Sequence, residues 1–237
     1  MNIFSSKNEK IIFVAIIAFC LGLLVGLLPK VDSKTLIGAV VTLITAFAGA
    51  FFAFKLNSDK DAQYKKVDET AKLNRSLIHL GVYLNVIGNI KKTLNTYGSI
   101  HEQAFIMPPI KNYNDNILFD ISDISLILSE EPQLLLELSV ENDGYIQTLE
   151  SVKTRHEFFM NELQPLMIEL GLMHRKVNTL ELEQKLPKHI FNAAYQAVNL
   201  INSNISSTEK GLLQVSVKLK AVCHKKCPGY KFADFLI

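Results

Sequence analysis

The sequence predicts an all-α protein, with an N-terminal two-helix transmembrane hairpin followed by a cytosolic bundle of long, heptad-patterned helices. Three observations predict it. Two stretches near the start, Ile11–Leu28 and Leu36–Phe54, run 18 and 19 residues without a charge. The rest of the chain repeats apolar residues at steps of three and four, the period of helices packed side by side. Strand-like alternation never lasts more than a few residues.

Residues 1–10 read as a short cytosolic N-terminus, and 11–28 as the first span. At 1.5 Å per residue the two runs are about 27–29 Å long as helices, against a hydrocarbon core of about 30 Å. Neither shows the polar face of a helix half-buried in a soluble protein. The competing reading of the first run is a cleaved signal peptide, since Lys7 and Lys10 precede it. The run is too long for that, no A-x-A site follows, and a second apolar run comes seven residues later. Residues 29–35, PKVDSKT, form a short external loop, and 36–54 the second span. Lys7 and Lys10 before the hairpin, with Lys55, Lys60, Lys65 and Lys66 after it, outnumber Lys30 and Lys34 in the loop. That bias places both termini in the cytoplasm.

The second span contains TAFAGAFFAF, Thr45 to Phe54, where lipid would accept Leu throughout. Gly38, Thr42, Ala46 and Ala50 recur every four residues, with Thr45, Gly49 and Ala53 in an adjacent row. The first span carries Ala18, Gly22 and Gly26 at the same spacing. Residues four apart share a helix face, and membrane helices associate where small side chains let backbones approach. Either the two stripes close the hairpin on itself, or they form a seam between copies. Two adjacent rows on the second span exceed what one hairpin partner covers, which favours self-association. With no ionisable group in either span, a charged ion or proton path is not expected.

Residues 55–217 read as the bundle and 218–237 as a basic tail. Between Val67 and Val217 there are 12 basic and 18 acidic residues, whereas the tail has five lysines and Asp234. One seam is Leu73, Leu77, Leu80, Leu84, Ile87 and Leu94, interrupted by Lys91; no Pro or Gly separates it from the second span before Gly81. After a loop around Met107-Pro108-Pro109 and Lys111–Asn116, a shorter helix carries Ile117, Ile121, Ile124 and Leu128. The next seam starts at Glu131-Pro132 and runs from Leu135 to Leu170 through Asn142, Tyr145, His156 and Phe159. Asn142-Asp143-Gly144 is a candidate break in it, and Pro165 a candidate kink. Asn178 caps a short helix, and Pro187 opens the last seam, Phe191 to Val222. Ser206-Ser207-Thr208-Glu209 fits a capping box, which would divide that helix in two.

No catalytic constellation emerges. The six histidines belong to no H-E-x-x-H or H-x-E pattern, and there is no glycine-rich loop or G-x-S-x-G. His156 reads as a core histidine, and Asp120 and Asp123 as solvated carboxylates on one helix face. Cys223-His224-Lys225-Lys226-Cys227 supplies at most three ligands of the four that zinc takes, so no metal or cofactor is expected. Three cysteines in no disulfide pattern suit a reducing cytoplasm. Lys218, Lys220, Lys225, Lys226 and Lys231, with Tyr230 and Phe232, are the candidate contacts for an anionic partner, either lipid headgroups or a nucleic-acid backbone. The alternative is a tail docked on the acidic body.

The uncharged run with Gly22-x-x-x-Gly26, the short PKVDSKT connection and the all-helical body together resemble the two-transmembrane effectors of bacterial antiphage systems, including those paired with retrons. The resemblance implies a protein of the bacterial inner membrane, held silent by a protein or ribonucleoprotein partner and disrupting that membrane once released. The rival expectation is a non-toxic scaffold that presents a helical bundle to a cytosolic partner.

Overall fold

The computed structural model describes Gly22 and residues 33–110, 119–173 and 178–234. The expected first span lies outside the described residues apart from Gly22, as do Pro29–Asp32 of the loop and Ile117. The described helices are α1 (Ser33–Thr96), α2 (Ile100–Phe105), α3 (Ser122–Ser125), α4 (Pro132–Phe158), a π-helical turn (Phe159–Leu163), α5 (Gln164–Glu169), α6 (Thr179–Lys185) and α7 (Lys188–Lys226). Among the described residues there is no strand. The protein is all-α. Its chain divides into two compact units, Met1–Lys65 and Lys66–Ile237, each taken by itself below.

α1 is 64 residues long and passes Gly81 and Gly88 without a break. Ser33–Thr35, expected in the loop, are already helical, because nothing after Pro29 opposes a helix there. Among the described residues α1 is the one helix long and apolar enough to cross a membrane. In the second unit it buries Leu73, Leu77, Leu80, Ile87 and Leu94 of the expected seam, together with Tyr83 and Ile90, while Leu84 of that seam is only half-buried beside Tyr83. Lys91, the interruption, points outward to pair with Glu209.

α4 begins at Pro132, where the missing N–H is no loss. It runs through Asn142-Asp143-Gly144 unbroken, against expectation. The reason is lateral support at that point. Asn142 Oδ1 accepts from the hydroxyl of Tyr83 (3.0 Å), and the Gly144 carbonyl is reached by Thr148 Oγ1 (2.8 Å) and Thr208 Oγ1 (3.2 Å). The effect of Pro165 is felt one turn earlier. Its ring would collide with the carbonyl four residues back, and the helix widens into the π-turn, with Gln164 N–H donating to Phe159 O. The core stripe consequently shifts from Leu163 to Met167, leaving Leu166 and Leu170 half-buried. Gly171, at φ 63, ends α5, and Leu172 N–H closes back onto Met167 O (2.8 Å), a turn for which glycine has no steric cost.

Asn178 caps α6 through Glu181 N–H (2.8 Å), and Pro187 precedes α7. α7 is a single helix of 39 residues; the expected division at Ser206–Glu209 does not occur. Ser207 Oγ bonds back to Ser203 O and Asn204 O, and Thr208 faces α4, so neither hydroxyl caps a new start. Two apolar cores result. The larger gathers Tyr83, Ile124, Leu138, Tyr145, Leu212 and Leu219 among others, from α1, α3, α4 and α7. The smaller gathers Phe105, Phe159, Leu163, Leu182, Ile190 and Val198, from α2, the π-turn, α6 and α7.

Leu138 is fully buried whereas Val140, two residues on, is 56% exposed. Leu138→Ala is expected to lower stability by about 2–5 kcal/mol, and Val140→Ala to change it by less than about 0.5 kcal/mol. Thermal melts of the two variants followed by circular dichroism check this, and equal losses would mean that the α4 face is misassigned.

Candidate functional site

The apolar part of α1 places Gly38, Thr42, Ala46, Gly49 and Ala50 on exposed positions, with Thr45 and Ala53 exposed beside them. A Cβ built on Gly22, Gly38 or Gly49 meets nothing within 4 Å. The hydroxyls of Thr42 and Thr45 fold back onto Gly38 O (2.9 Å) and Val41 O (2.7 Å). Both threonines therefore present methyl groups rather than donors, as a lipid-facing or helix-facing surface requires. Ala18 and Gly26, the remaining members of the expected seam, lie outside the described residues.

The five candidate lysines are distributed differently from the expectation. Lys218, Lys220, Lys225 and Lys226 belong to the last turns of α7, so the basic segment is no tail at this point. Three of them face the acidic start of α4. Lys218 meets Glu137 (2.7 and 2.8 Å), Lys225 meets Glu131 (3.2 Å) and Lys226 meets Glu130 (3.2 Å), while Lys220 pairs with Asp234. Carboxylates at a helix start and ammonium groups at a helix end also complement the two helix dipoles. Lys231 is exposed. Three of the five lysines thus pair with the acidic body, as in the alternative weighed from sequence, whereas Lys220 pairs within its own segment.

Cys223 and Cys227 are both buried, and burial pushes the Cys223 thiol up to about 12, with Cys227 adding to it. At neutral pH that thiol keeps its proton, whereas thiols react as the thiolate. His224 faces away, its ring edge-on to Phe232 at 5.4 Å. Among the described residues no three His, Cys, Asp or Glu side chains gather as a metal set. Asp120 and Asp123 do not share a helix face: Asp120 precedes α3 and accepts from Ser122 N–H (2.9 Å), and Asp123 lies 3.8 Å from Arg75. Both are exposed.

His156 is only half-buried; its neighbour Arg155 is the buried cation, 3% exposed. Its guanidinium donates to Gln103 O (2.8 Å), Met107 O (2.6 Å) and, more loosely, Pro108 O (3.5 Å), and lies 5.3 Å over the Phe159 ring. Gln103 in turn donates to Leu94 O (3.1 Å) and accepts from Asn202 (2.9 Å). Sequence reading missed this clamp. The usable signal was Pro108-Pro109, a pair that offers carbonyls without N–H groups and so leans on outside donors. A second polar cluster, at the smaller core, joins His101 Nδ1 to the Tyr195 hydroxyl (3.0 Å) beside Phe105 and Phe191.

Comparison with protein-family models, with curated proteins and with solved structures gives no match to this chain.

Desolvation lowers the Arg155 pKa to about 10, a burial penalty on the order of 3 kcal/mol. Hydrogen bonds from a charged donor are worth roughly 1.5–3 kcal/mol each, so the two short bonds offset it. Arg155→Met keeps the stem and strands the carbonyls. It is expected to destabilise by about 1–3 kcal/mol and to speed amide exchange across residues 103–110, as mass spectrometry would read. Unchanged exchange would mean that the clamp holds nothing.

The α4–α7 charges also set a pH signature. The bond from Lys218 holds the Glu137 carboxyl below its ordinary 4.5. That stabilisation is present above 4.5 and is lost as pH falls through the folded value. Burial, then Glu137, raises the Glu141 carboxyl; its ionised form therefore costs stability that is recovered as pH falls through its raised pKa. Lys218→Ala should melt below wild type at pH 7 and converge with it below about pH 4.5. Glu141→Gln should melt above wild type at pH 7, with the gap closing on acidification. Parallel melting curves across pH for either variant would contradict the assignment.

Proposed function

We propose that this chain is an effector of the bacterial inner membrane, anchored by a two-helix hairpin with both termini in the cytoplasm. A partner bound to the helical bundle holds it silent, and release lets copies associate through their spans and permeabilise the membrane, as in abortive-infection defence. The observation that carries the reading is the pair of small-residue rows on the long apolar helix, from Gly38 to Ala53, exposed like the large residues Val41, Ile44 and Phe52 of the same segment, with open space where side chains on Gly38 and Gly49 would go. A helix that only had to anchor would gain nothing from such rows, since lipid accepts large apolar side chains equally well. The long apolar helix supports the membrane location.

The bundle supplies the regulated part in this reading. Apolar residues of α1, α4 and α7 pack together in it, and at the α4–α7 end Lys218, Lys225 and Lys226 are paired with carboxylates. A nucleic-acid component of the partner would meet Lys231 first, because Lys218, Lys225 and Lys226 are engaged by Glu137, Glu131 and Glu130. No step of the proposal calls for catalysis, a metal or a cofactor.

Inducible expression in a bacterial host, with growth and entry of a membrane-impermeant dye followed together, tests it. Wild type is expected to admit dye and arrest growth, and Gly26→Leu/Gly49→Leu to insert normally while losing at least tenfold in dye entry. Dye entry unchanged in the double variant would sink the seam. Normal growth and dark cells with wild type, in a host lacking any partner, would leave the scaffold reading in its place.

A further inference from the structure

α1 does not stop at the end of its apolar run, Leu36–Phe54, and from Leu56 to Asp68 every one of its residues is exposed. Most of that stretch is polar, yet Leu56 is 58% exposed and Tyr64 72%. Counting back from Leu56 in alternating steps of three and four gives Ala53, Gly49, Ala46 and Thr42, all members of the two small-residue rows. Counting forward gives Lys60, Gln63 and, in the second unit, Val67. Such alternation is the a/d stripe of a left-handed coiled coil, here about 32 Å long from Thr42 to Gln63. Its members up to Gln63 are all exposed. The next position, Thr70, is 8% exposed, so the stripe lacks cover only before the bundle begins.

Charge on the stripe indicates what covers it. Lys60 is its single charged member and falls at an a position, where a lysine specifies register at a cost in stability. Asp59 precedes it at the flanking g position. In a parallel pair of helices the a residue of one reaches the g residue of the other, so Lys60 of one copy meets Asp59 of a second. Both residues are exposed, and among the described residues neither belongs to an ion pair. Copies anchored in one membrane share the direction of α1 and bring the same positions to the same height. Small residues let the helices approach within lipid, and that approach sets the spacing at which Leu56, Lys60 and Gln63 meet.

We infer that α1 of one copy lies parallel and in register against α1 of a second copy, along a seam that leaves the span and continues through Leu56, Lys60 and Gln63. Leu56 supplies the apolar layer outside the lipid, and Lys60 with Asp59 sets register and direction. The inference rests on the proposed function only for the presence of several copies in one membrane.

Disulfide trapping in the full-length protein, reconstituted in lipid vesicles and oxidised with copper phenanthroline, tests it. Cys20→Ala removes one native thiol, and Cys223 and Cys227 are buried. Leu56→Cys, Lys60→Cys and Gln63→Cys, made singly, are expected to give covalent dimer in high yield. Ser58→Cys, Asp61→Cys and Lys65→Cys, on the outer face, should give little. Lys60→Asp in the Gln63→Cys protein sets like charges together and should lower the yield by about threefold; Asp59→Lys added to it should restore the yield. All these positions but Lys65 lie among exposed side chains without a packing role, and circular dichroism should show each variant folded. Equal yields on the two faces mean random collision and overturn the inference, as does the absence of dimer at every position. A Gln63→Cys yield that ignores both charge changes overturns it too. Dye entry lost in Gly26→Leu/Gly49→Leu without the periodic yield would overturn the seam and leave the permeabilising reading standing. Periodic yield with dye entry unchanged in that double variant would support the seam and remove the permeabilising reading.

Discussion

A helix that keeps its apolar residues at steps of three and four for 39 residues has one stripe, and that stripe has to be covered along about 58 Å. On α7 it runs from Ile190 through Val198, Ile205 and Leu212 to Cys223. No single partner helix reaches that far. α4 covers the C-terminal part, with α1 beside it, and the π-turn, α2 and α6 cover the N-terminal part. The two cores are thus two halves of one stripe, and the short elements of the smaller core complete a surface that α4, ending at Phe158, does not reach. An interruption of α7 would separate the cores. This explains why the hydroxyls at Ser207 and Thr208 are turned to other bonds instead of starting a new helix.

Apolar stripes fix which faces meet but not their axial register, and polar groups in the core settle it. Tyr83 stacks on Tyr145 at 3.6 Å, with the rings 7° from parallel, and its hydroxyl accepts from Phe119 N–H (2.7 Å) while donating to Asn142. That one phenol ties α1, the segment before α3, and α4 to a single position. Across the α4–α7 contact, Thr148 and Thr208 hydroxyls lie 2.9 Å apart and share the Gly144 carbonyl. With one hydrogen each they can fill only two of the three contacts at a time. A slip by one turn would strand these groups without partners, at a cost of roughly 1–3 kcal/mol for each. Arg155 does the same for the start of the Pro108-Pro109 loop.

Helix identity was readable because periodicity and punctuation are local: Pro132, Asn178 and Pro187 act within their own first turn, and the structure puts starts at all three. Most of the seam of α1 was readable for the same reason, Leu73, Leu77, Leu80, Ile87 and Leu94 being buried at the expected steps, with Tyr83 taken inside in place of Leu84. What misled the reading were signals whose effect depends on a neighbour across the bundle. Gly144 and the Ser206–Glu209 box look like breaks until Thr208 is seen against Gly144, 64 residues away in sequence. His156 and Arg155 differ by 100° around the helix, and only the carbonyls of residues 103 and 107 decide which of them is taken inside. The lysines after Val217 were visible as a cluster, yet their partners at 130, 131 and 137 lie on another helix. A one-dimensional charge count shows the excess and hides the pairing.

That pairing bears on what the bundle is able to recognise. An anion approaching Lys225 or Lys226 must displace Glu131 or Glu130, and the exchange of one exposed ion pair for another yields a difference of two small quantities. Salt weakens both sides further. Charge alone is a poor handle at this end of α4 and α7. Apolar surface has no such internal competitor. Leu136 and Val140, one turn apart on α4, are 58% and 56% exposed, and Leu126 beyond α3 is 88% exposed. Under the proposed reading, a partner's grip on the bundle comes from packing against such residues, with the lysine–carboxylate pairs opposing polyanions rather than attracting them.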